Sequence, residues 1–550
     1  MLLILTYNTF SRVDLIQTKK RTYKFAFFIN LHIFAKRKYY MQLTNILLKY
    51  GSSFTIINAN IYAKKKYKKK KGENFMKQQK MYKQIAAVIF ALILTVSTCG
   101  ASVFAANVDA HSVKFYDIAN PYEYVNWSSF GQYKADFHAH SFNSDGSNTV
   151  AQMVEDHYNK GFDIFSMTDH SVLTPNWDKI ANGVTSARKA EIEAGVYRNG
   201  KPMIDIDNCN EQSATDHINS FFADYNDVDG GTNTMAGTIA AVEAHGGITH
   251  INHAGRYTGA AYVSDNESIA ISNNPLVVQK YTDLFKAYPS CIGMEIINKI
   301  DNESKSDRVL WDNILKEMMP DGRFVWGFSN DDSHSLDATG YSWNIMLMPE
   351  QTQTATRTAM ETGAFYAVSR VSRLDGINRY LPDGNEIPGA GDSRTLYLLE
   401  QSTPSISNIA VTGNTITVSG TDYDFIEWIA DGIVIATGNK IDLSDYSDQI
   451  NSYVRAQLKS STGIAFTQPF GVKEATLINV APSASVNKLS GNQNDLTITV
   501  TEFYSNGVAN VITETLKINN NATGTYEVGK YRVYVDTKGN DQIRACYIAE

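Results

Sequence analysis

The sequence predicts an α/β protein: strands alternating with helices and closed into a barrel, followed by two small all-β sandwich modules. Three observations support this. Short apolar runs between turn residues alternate with segments of helical spacing through the middle of the 550-residue chain. Most of those runs end on a histidine or a carboxylate. From Leu399 onward the helical spacing gives way to short alternating runs separated by Gly, Asn and Asp. The length is too great for one domain.

Residues 1–75 are rich in Lys, Tyr, Asn, Ile and Phe and do not read as protein structure; they look like translated AT-rich DNA. Gly72-Glu73-Asn74-Phe75-Met76 can be encoded by GGA-GAA-AAT-TTT-ATG, a purine-rich ribosome-binding site ahead of a start codon, so Met76 or Met81 is the expected start. The competing reading is a disordered basic leader in which Lys64 to Lys71 form a solvated charge run. Residues 76–105 read as a secretory signal. Lys77, Lys80 and Lys83 are its basic region, Ile85 to Val96 an apolar stretch too short to span a bilayer comfortably, and Val103-Phe104-Ala105 its cleavage site. Thr98 before Cys99 departs from a lipoprotein signal. No other segment could be transmembrane. The expectation is a bacterial protein that is exported, with cell-wall association open.

Within the barrel domain, 106–395, the runs 133–137, 162–167, 248–251, 291–294 and 324–328 read as buried parallel strands. Val150, Met153, Val154 and Tyr158 form one helical stripe; Leu276, Tyr281, Leu284 and Phe285 form a second; Val309, Leu310, Ile314 and Leu315 form a third. Residues 399–472 read as an immunoglobulin-like sandwich with Trp428 in its core and an Asp431-Gly432 hairpin turn. Residues 473–550 read as a second small sandwich. Both modules are expected to act as spacers, with cell-wall or glycan contact as the alternative.

Six of the eleven histidines fall in an ordered series of motifs: His138-Ala-His140, Asp145-Gly146, Asp169-His170, Glu211 with His217, His253-Ala-Gly-Arg256, and Asp332-Ser-His334. Imidazole and carboxylate are the ligands that zinc, manganese and iron share. In a β/α barrel, residues at C-terminal strand ends line the active site, and the motifs sit there. Lone histidines are usually structural, and His111, His157 and His245 are read so. His250 points to the opposite strand face from His253 and reads as packing or support. Asp331 reads as a turn residue, and Glu295 as either a supporting or a structural residue.

This series resembles the PHP (polymerase and histidinol phosphatase) family, metal-dependent phosphoesterases on a distorted seven-stranded β/α barrel. The resemblance covers residues 132–367. It departs from the family at Ala254, where proline is usual, and at Glu211/His217, where the G-x-E turn is absent and the spacing short. The resemblance implies three divalent ions held by nine residues. His138, His140 and Asp332 would share one, Glu211 with His217 and His253 a second, and Asp145, His170 and His334 a third, with Glu211 bridging. It implies hydrolysis of phosphate esters by metal-activated hydroxide, with Asp332 and Arg256 as catalytic residues; a planar guanidinium suits a phosphate. A carbaryl-hydrolase-like enzyme acting on carboxyl esters or carbamates is the alternative, and a non-catalytic adhesin the second. No general acid for the leaving group is identifiable. The substrate is expected to be a phosphorylated small molecule or cell-surface group, selected by loops 172–180 and 224–234. Net charge is −7, so nothing suggests a general nucleic-acid binder. The four cysteines form no framework.

Overall fold

The computed structural model describes residues 114–488, 493–519, 523–538 and 542–549, together with short strands between residues 2 and 63. The chain divides into two compact units, Met1–His111 and Ser112–Glu550. In the first, Leu2–Leu5, Leu31–Ala35, Tyr39–Leu43 and Tyr62–Ala63 pair in chain order as one antiparallel sheet, in a stretch where the sequence led us to expect no structure. The expected signal segment, Cys99 and His111 lie outside the described residues. Among the described residues, no helix is long and apolar enough to cross a membrane.

The second unit is mixed α/β with a β-rich C-terminal part. After an edge strand β1 (Tyr116–Ala119), its strands are β2 (Gly131–Asp136), β3 (Ile164–Phe165), β4 (Ile204–Asp205), β5 (Asn210–Gln212), β6 (Ile218–Phe221), β7 (Ile248–Ile251), β8 (Cys291–Asn298), β9 (Trp326–Asn330), β10 (Ser342–Met348) and β11 (Phe365–Ser369). Parallel ladders join β2–β3–β4 and β7–β8–β9. Antiparallel ladders join β5 to β6, β6 to β7, β2 to β10 and β10 to β11. The two sheets so formed meet at isolated parallel bridges, Ala139 to Ser333 and His170 to Glu211.

Helices pack against these sheets, and several open on a recognisable cap. α1 (Val150–Asn159) opens on a capping box: Thr149 Oγ1 accepts from Gln152 N at 3.1 Å, and Gln152 Oε1 accepts from Thr149 N at 2.9 Å. Its stripe of Val150, Met153, Val154 and Tyr158 is buried as expected. α2 (Pro275–Ala287) has Pro at its start, where a missing N–H costs nothing. Leu276, expected in its buried stripe, is instead 74% exposed; Val278 takes the inward place beside Tyr281, Leu284 and Phe285. α3 (Asp307–Met318) buries Leu310, Trp311, Ile314 and Leu315.

The segment 399–472 forms a sandwich, but one of its sheets continues that of the β/α part. Its strands are β12 (Ser405–Thr412), β13 (Thr415–Thr421), β14 (Phe425–Ala430), β15 (Ile433–Thr437), β16 (Lys440–Asp442), β17 (Tyr453–Ser460), β18 (Gly463–Phe466) and β19 (Phe470–Glu474). β12, β13 and β16 form the small sheet, while β18 pairs with β11, and β19 with β1. Asp431 and Gly432 both have positive φ, as a two-residue hairpin turn requires, and Trp428 is fully buried. A bidentate ion pair, Arg455 Nε and Nη2 to Asp312 Oδ1 and Oδ2 at 2.8 Å each, ties β17 to α3. The last strands, β20 (Leu477–Lys488) to β22 (Ala509–Asn519) and β23 (Gly524–Val528) to β25 (Gln542–Ile548), with β21 (Gln493–Tyr504) and β24 (Tyr531–Lys538) central, form two three-stranded sheets. They close on Leu496, Ile498, Val500, Val528, Val533 and Val535. Cys209, Cys291 and Cys546 are unpaired.

Candidate metal centre

All nine residues expected as ligands converge on one site. His138 and His140 follow β2, His170 follows β3, His253 follows β7, and Asp332 and His334 follow β9. Glu211 and His217 arrive differently. β5 and β6 are an antiparallel hairpin, and β6 runs against β7 with Ile218 opposite Ile251. The start of β6 therefore lies beside the end of β7, which sets His217 next to His253, their rings 5.3 Å apart. The hairpin also explains the short Glu211-to-His217 spacing, because no crossover helix separates them.

Glu211 is at the centre and fully buried. Its Oε1 lies 3.2 Å from His138 Nε2, 3.0 Å from His217 Nδ1 and 3.3 Å from His253 Nε2. Its Oε2 lies 2.5 Å from His170 Nδ1 and 3.6 Å from His140 Nε2. Asp332 Oδ1 stands 3.1 Å from His140 Nε2 and 3.5 Å from His138 Nε2. Asp145 closes the outer side, its Oδ1 at 3.3 Å from His334 Nε2 and 3.5 Å from His170 Nε2. Among the tight groups that result are His138/His140/Asp332, His138/Glu211/His253, His170/Glu211/His217, and His140/Asp145/His170/His334. Glu211 is shared by two of them, as a bridging carboxylate would be; relative to the sequence expectation, His217 groups with His170 rather than with His253, and His140 also joins Asp145.

The donor set fits cations. His138 Nε2, His140 Nε2, Glu211 Oε2, His217 Nδ1 and Asp332 Oδ1 are buried without a hydrogen-bond partner, a costly state for polar atoms unless an ion satisfies them. Burial alone would lower the His138 pKa, yet Asp332, Glu295 and Glu211 raise it well above the usual imidazole value. Burial opposes ionisation of Glu211, but His138, His170 and His217 hold it well below the carboxylate range. At His140 burial prevails and brings the pKa down to about 4, leaving a neutral ring. The site opens at the Asp145, His334 and His170 side, whose side chains are 56%, 31% and 24% exposed.

Supporting contacts fix the ligands. Glu295 Oε1 accepts from His138 Nδ1 at 2.8 Å and from Asn330 Nδ2 at 2.9 Å. Its Oε2 accepts from His253 N and from Asn298 Nδ2, each at 2.9 Å. With Nδ1 donating to Glu295, His138 would offer its Nε2 to an ion on loss of the Nε2 proton, an arrangement typical of metal-bound histidine. Asn252 Nδ2 donates to Glu211 Oε1 at 2.7 Å. Asp169 anchors the loop after β2, accepting from Ser141 N, Ser141 Oγ and Ser144 Oγ at 2.6 Å each. Gly146 is required in that loop, since a Cβ there would lie 2.5 Å from His140 O.

His253 and Asp332 have φ of 24° and 45°, sparsely populated values for residues with side chains, as functional sites often show. Arg256 is 42% exposed, and its Nη1 pairs with Glu303 Oε2 at 3.2 Å rather than reaching the cluster. His157 stacks on Phe165 and meets Asp136 at 3.1 Å, His245 sits at a helix end, and His250 stacks on Phe328. Asp331 accepts from the N–H groups of Gly340, Tyr341 and Ser342 and shapes the turn. Asn298, Lys299 and Glu303 were missed from sequence. β8 runs on to Asn298, four residues beyond the apolar run 291–294, so all three lie past the strand end that this run marks.

No known protein family matches the sequence, and no curated protein does. A solved two-domain protein from Bacteroides vulgatus, described as containing a predicted PHP-like metal-dependent phosphoesterase, is similar at 14% identity and a TM-score of 0.33, over 71% of this chain and 96% of that chain. So loose a likeness carries no weight for the chemistry, which rests on the site's own geometry.

Proposed function

We propose that the protein is an exported, metal-dependent phosphoesterase with three divalent ions, zinc, manganese or iron, on a distorted seven-stranded β/α barrel. The observation that carries this is the Glu211 carboxylate, buried among five imidazoles, whose Oε2 finds no hydrogen-bond donor in the protein. His138, His140, Asp332, Glu211, His217, His253, Asp145, His170 and His334 would hold the ions. Ions there would supply Lewis acidity, lowering the pKa of water and neutralising charge on a phosphoryl group. The chain's own residues supply the rest. Glu295 and Asn252 fix His138 and Glu211 in orientation, the buried floor keeps bulk water out, and Arg256 stands at the rim to meet an anionic substrate. Export rests on the basic and apolar residues of 76–105, and the C-terminal modules serve as a stabilising support.

The test is turnover by the exported protein on phosphomonoester, phosphodiester, carboxyl-ester and carbamate substrates. His138→Ala or Asp332→Asn should abolish phosphoester hydrolysis. Arg256→Ala should lower its efficiency about ten- to a hundredfold, the loss of one charge-assisted contact of ~1.5–3 kcal/mol. Faster turnover of carbamates or carboxyl esters, with phosphoester efficiency unchanged in Arg256→Ala, would replace this proposal with a carbaryl-hydrolase-like activity.

A further inference from the structure

We infer that Lys299, together with Arg256, recognises the anionic group of the substrate, and that Glu303 occupies the position this group takes. The inference rests on the phosphoesterase proposal for the identity of the anion.

Lys299 is the first residue after β8. Its backbone is in the left-handed region at φ 55°, and its N–H donates to Asn330 O at 3.0 Å. Asp301, two residues on, is also left-handed at φ 58°. A non-glycine residue held in this way is overdetermined by its surroundings, and such positions concentrate at ligand sites. The constraint delivers the Lys299 ammonium to the metal centre, where Nζ lies 3.2 Å from Asp332 Oδ2 and 3.1 Å from Glu303 Oε1. The other oxygen of Glu303, Oε2, lies 3.2 Å from Arg256 Nη1.

A single carboxylate thus spans two cations, one oxygen to each. A phosphate would make the same bridge with two of its oxygens, and with more charge. The row Asp332–Lys299–Glu303–Arg256 also runs outward: side-chain exposure is 2% at Asp332, 17% at Lys299 and Glu303, and 42% at Arg256. The row thus leads from the surface to Lys299, which lies beside Asp332, whose Oδ1 faces His138 and His140. The competing role, in which Lys299 only steadies Asp332, predicts no particular effect of Glu303.

The test is calorimetric binding of inorganic phosphate to the metal-loaded protein, with metal content measured on every sample. Lys299→Gln should weaken phosphate binding at least about tenfold, as expected for one lost charge-assisted hydrogen bond, with Lys299→Arg closer to wild type. Glu303→Gln should tighten it severalfold, because the resident competitor loses its charge. Wild-type phosphate affinity in Lys299→Gln would overturn the inference. So would an absence of phosphate binding by the wild type. Should Lys299→Gln lose metal or fail to fold, Glu303→Gln decides: tighter binding supports the inference, and unchanged or weaker binding refutes it. Phosphate binding that depends on Lys299 without any phosphoester turnover would sink the proposed reaction and leave this inference standing. Phosphoester turnover with phosphate binding indifferent to Lys299 would do the reverse.

Discussion

Replacing Glu295 with glutamine should loosen the metal centre while leaving the fold intact. Glu295 is fully buried and accepts four hydrogen bonds, from His138 Nδ1, Asn330 Nδ2, His253 N and Asn298 Nδ2, all within 2.8–2.9 Å. Glutamine keeps the volume and one acceptor oxygen but turns the other oxygen into a donor, facing donors. It also removes the negative charge that fixes the His138 tautomer. Loss of a carboxylate behind a metal-binding histidine typically costs 10- to 100-fold in metal affinity, about 1.4–2.8 kcal/mol. Glu295→Ala should do more, because it leaves four buried donors unpaired at ~1–3 kcal/mol each, and should lower the thermal midpoint markedly. Chelator competition on the loaded proteins reads the first effect, and thermal denaturation the second. A Glu295→Gln protein that held its ions as tightly as wild type would refute the reasoning, since the geometry gives Glu295 no other role of comparable weight.

Three further predictions concern the modules. Arg455→Leu should destabilise the protein by about 3–5 kcal/mol, because it strands the Asp312 carboxylate in a buried site; denaturant unfolding at pH 7 checks this. A chain ending after residue 398 should fail to give a soluble β/α domain, because β11 would lose its partner β18; a monomeric, folded product would contradict the shared sheet. In the terminal sandwich, burial would raise the Glu502 pKa, yet hydrogen bonds from Lys530, Tyr531, Asn510 and Tyr504 bring it down to about 2. A depressed folded-state carboxylate contributes stability that is full above its unfolded value of about 4.5 and disappears as pH falls toward 2. The stability difference between wild type and Glu502→Gln should therefore shrink across that window, and a constant difference from pH 6 to 2 would argue against it.

The convergence of the candidate ligands was legible in the sequence because their chemistry is written in residue type and short spacing. His-x-His after an apolar run places two imidazoles at one strand end whatever the surrounding topology. The connection pattern was less legible. β5 is three polar residues and β6 is four residues with its apolar Ile218 and Phe221 apart, so neither carries an apolar run and nothing in the sequence marks the hairpin that delivers Glu211 and His217. Leu276 shows the limit of periodicity: the first turn of α2 protrudes, so a residue in phase with the stripe faces solvent. Lys299 and Glu303 carry no motif, and only the strand end and the ion-pair distances reveal them. The module boundary near 399 marks a change of sequence pattern, and the hydrogen bonding of β11 to β18 continues across it.

The central claim is that the imidazole and carboxylate cluster around Glu211 holds several transition-metal ions. Elemental analysis of protein purified without chelator tests this most directly. More than one zinc, manganese or iron ion per chain, lowered in His138→Ala and Asp332→Asn, is the expected result. One ion or none per chain would contradict the account.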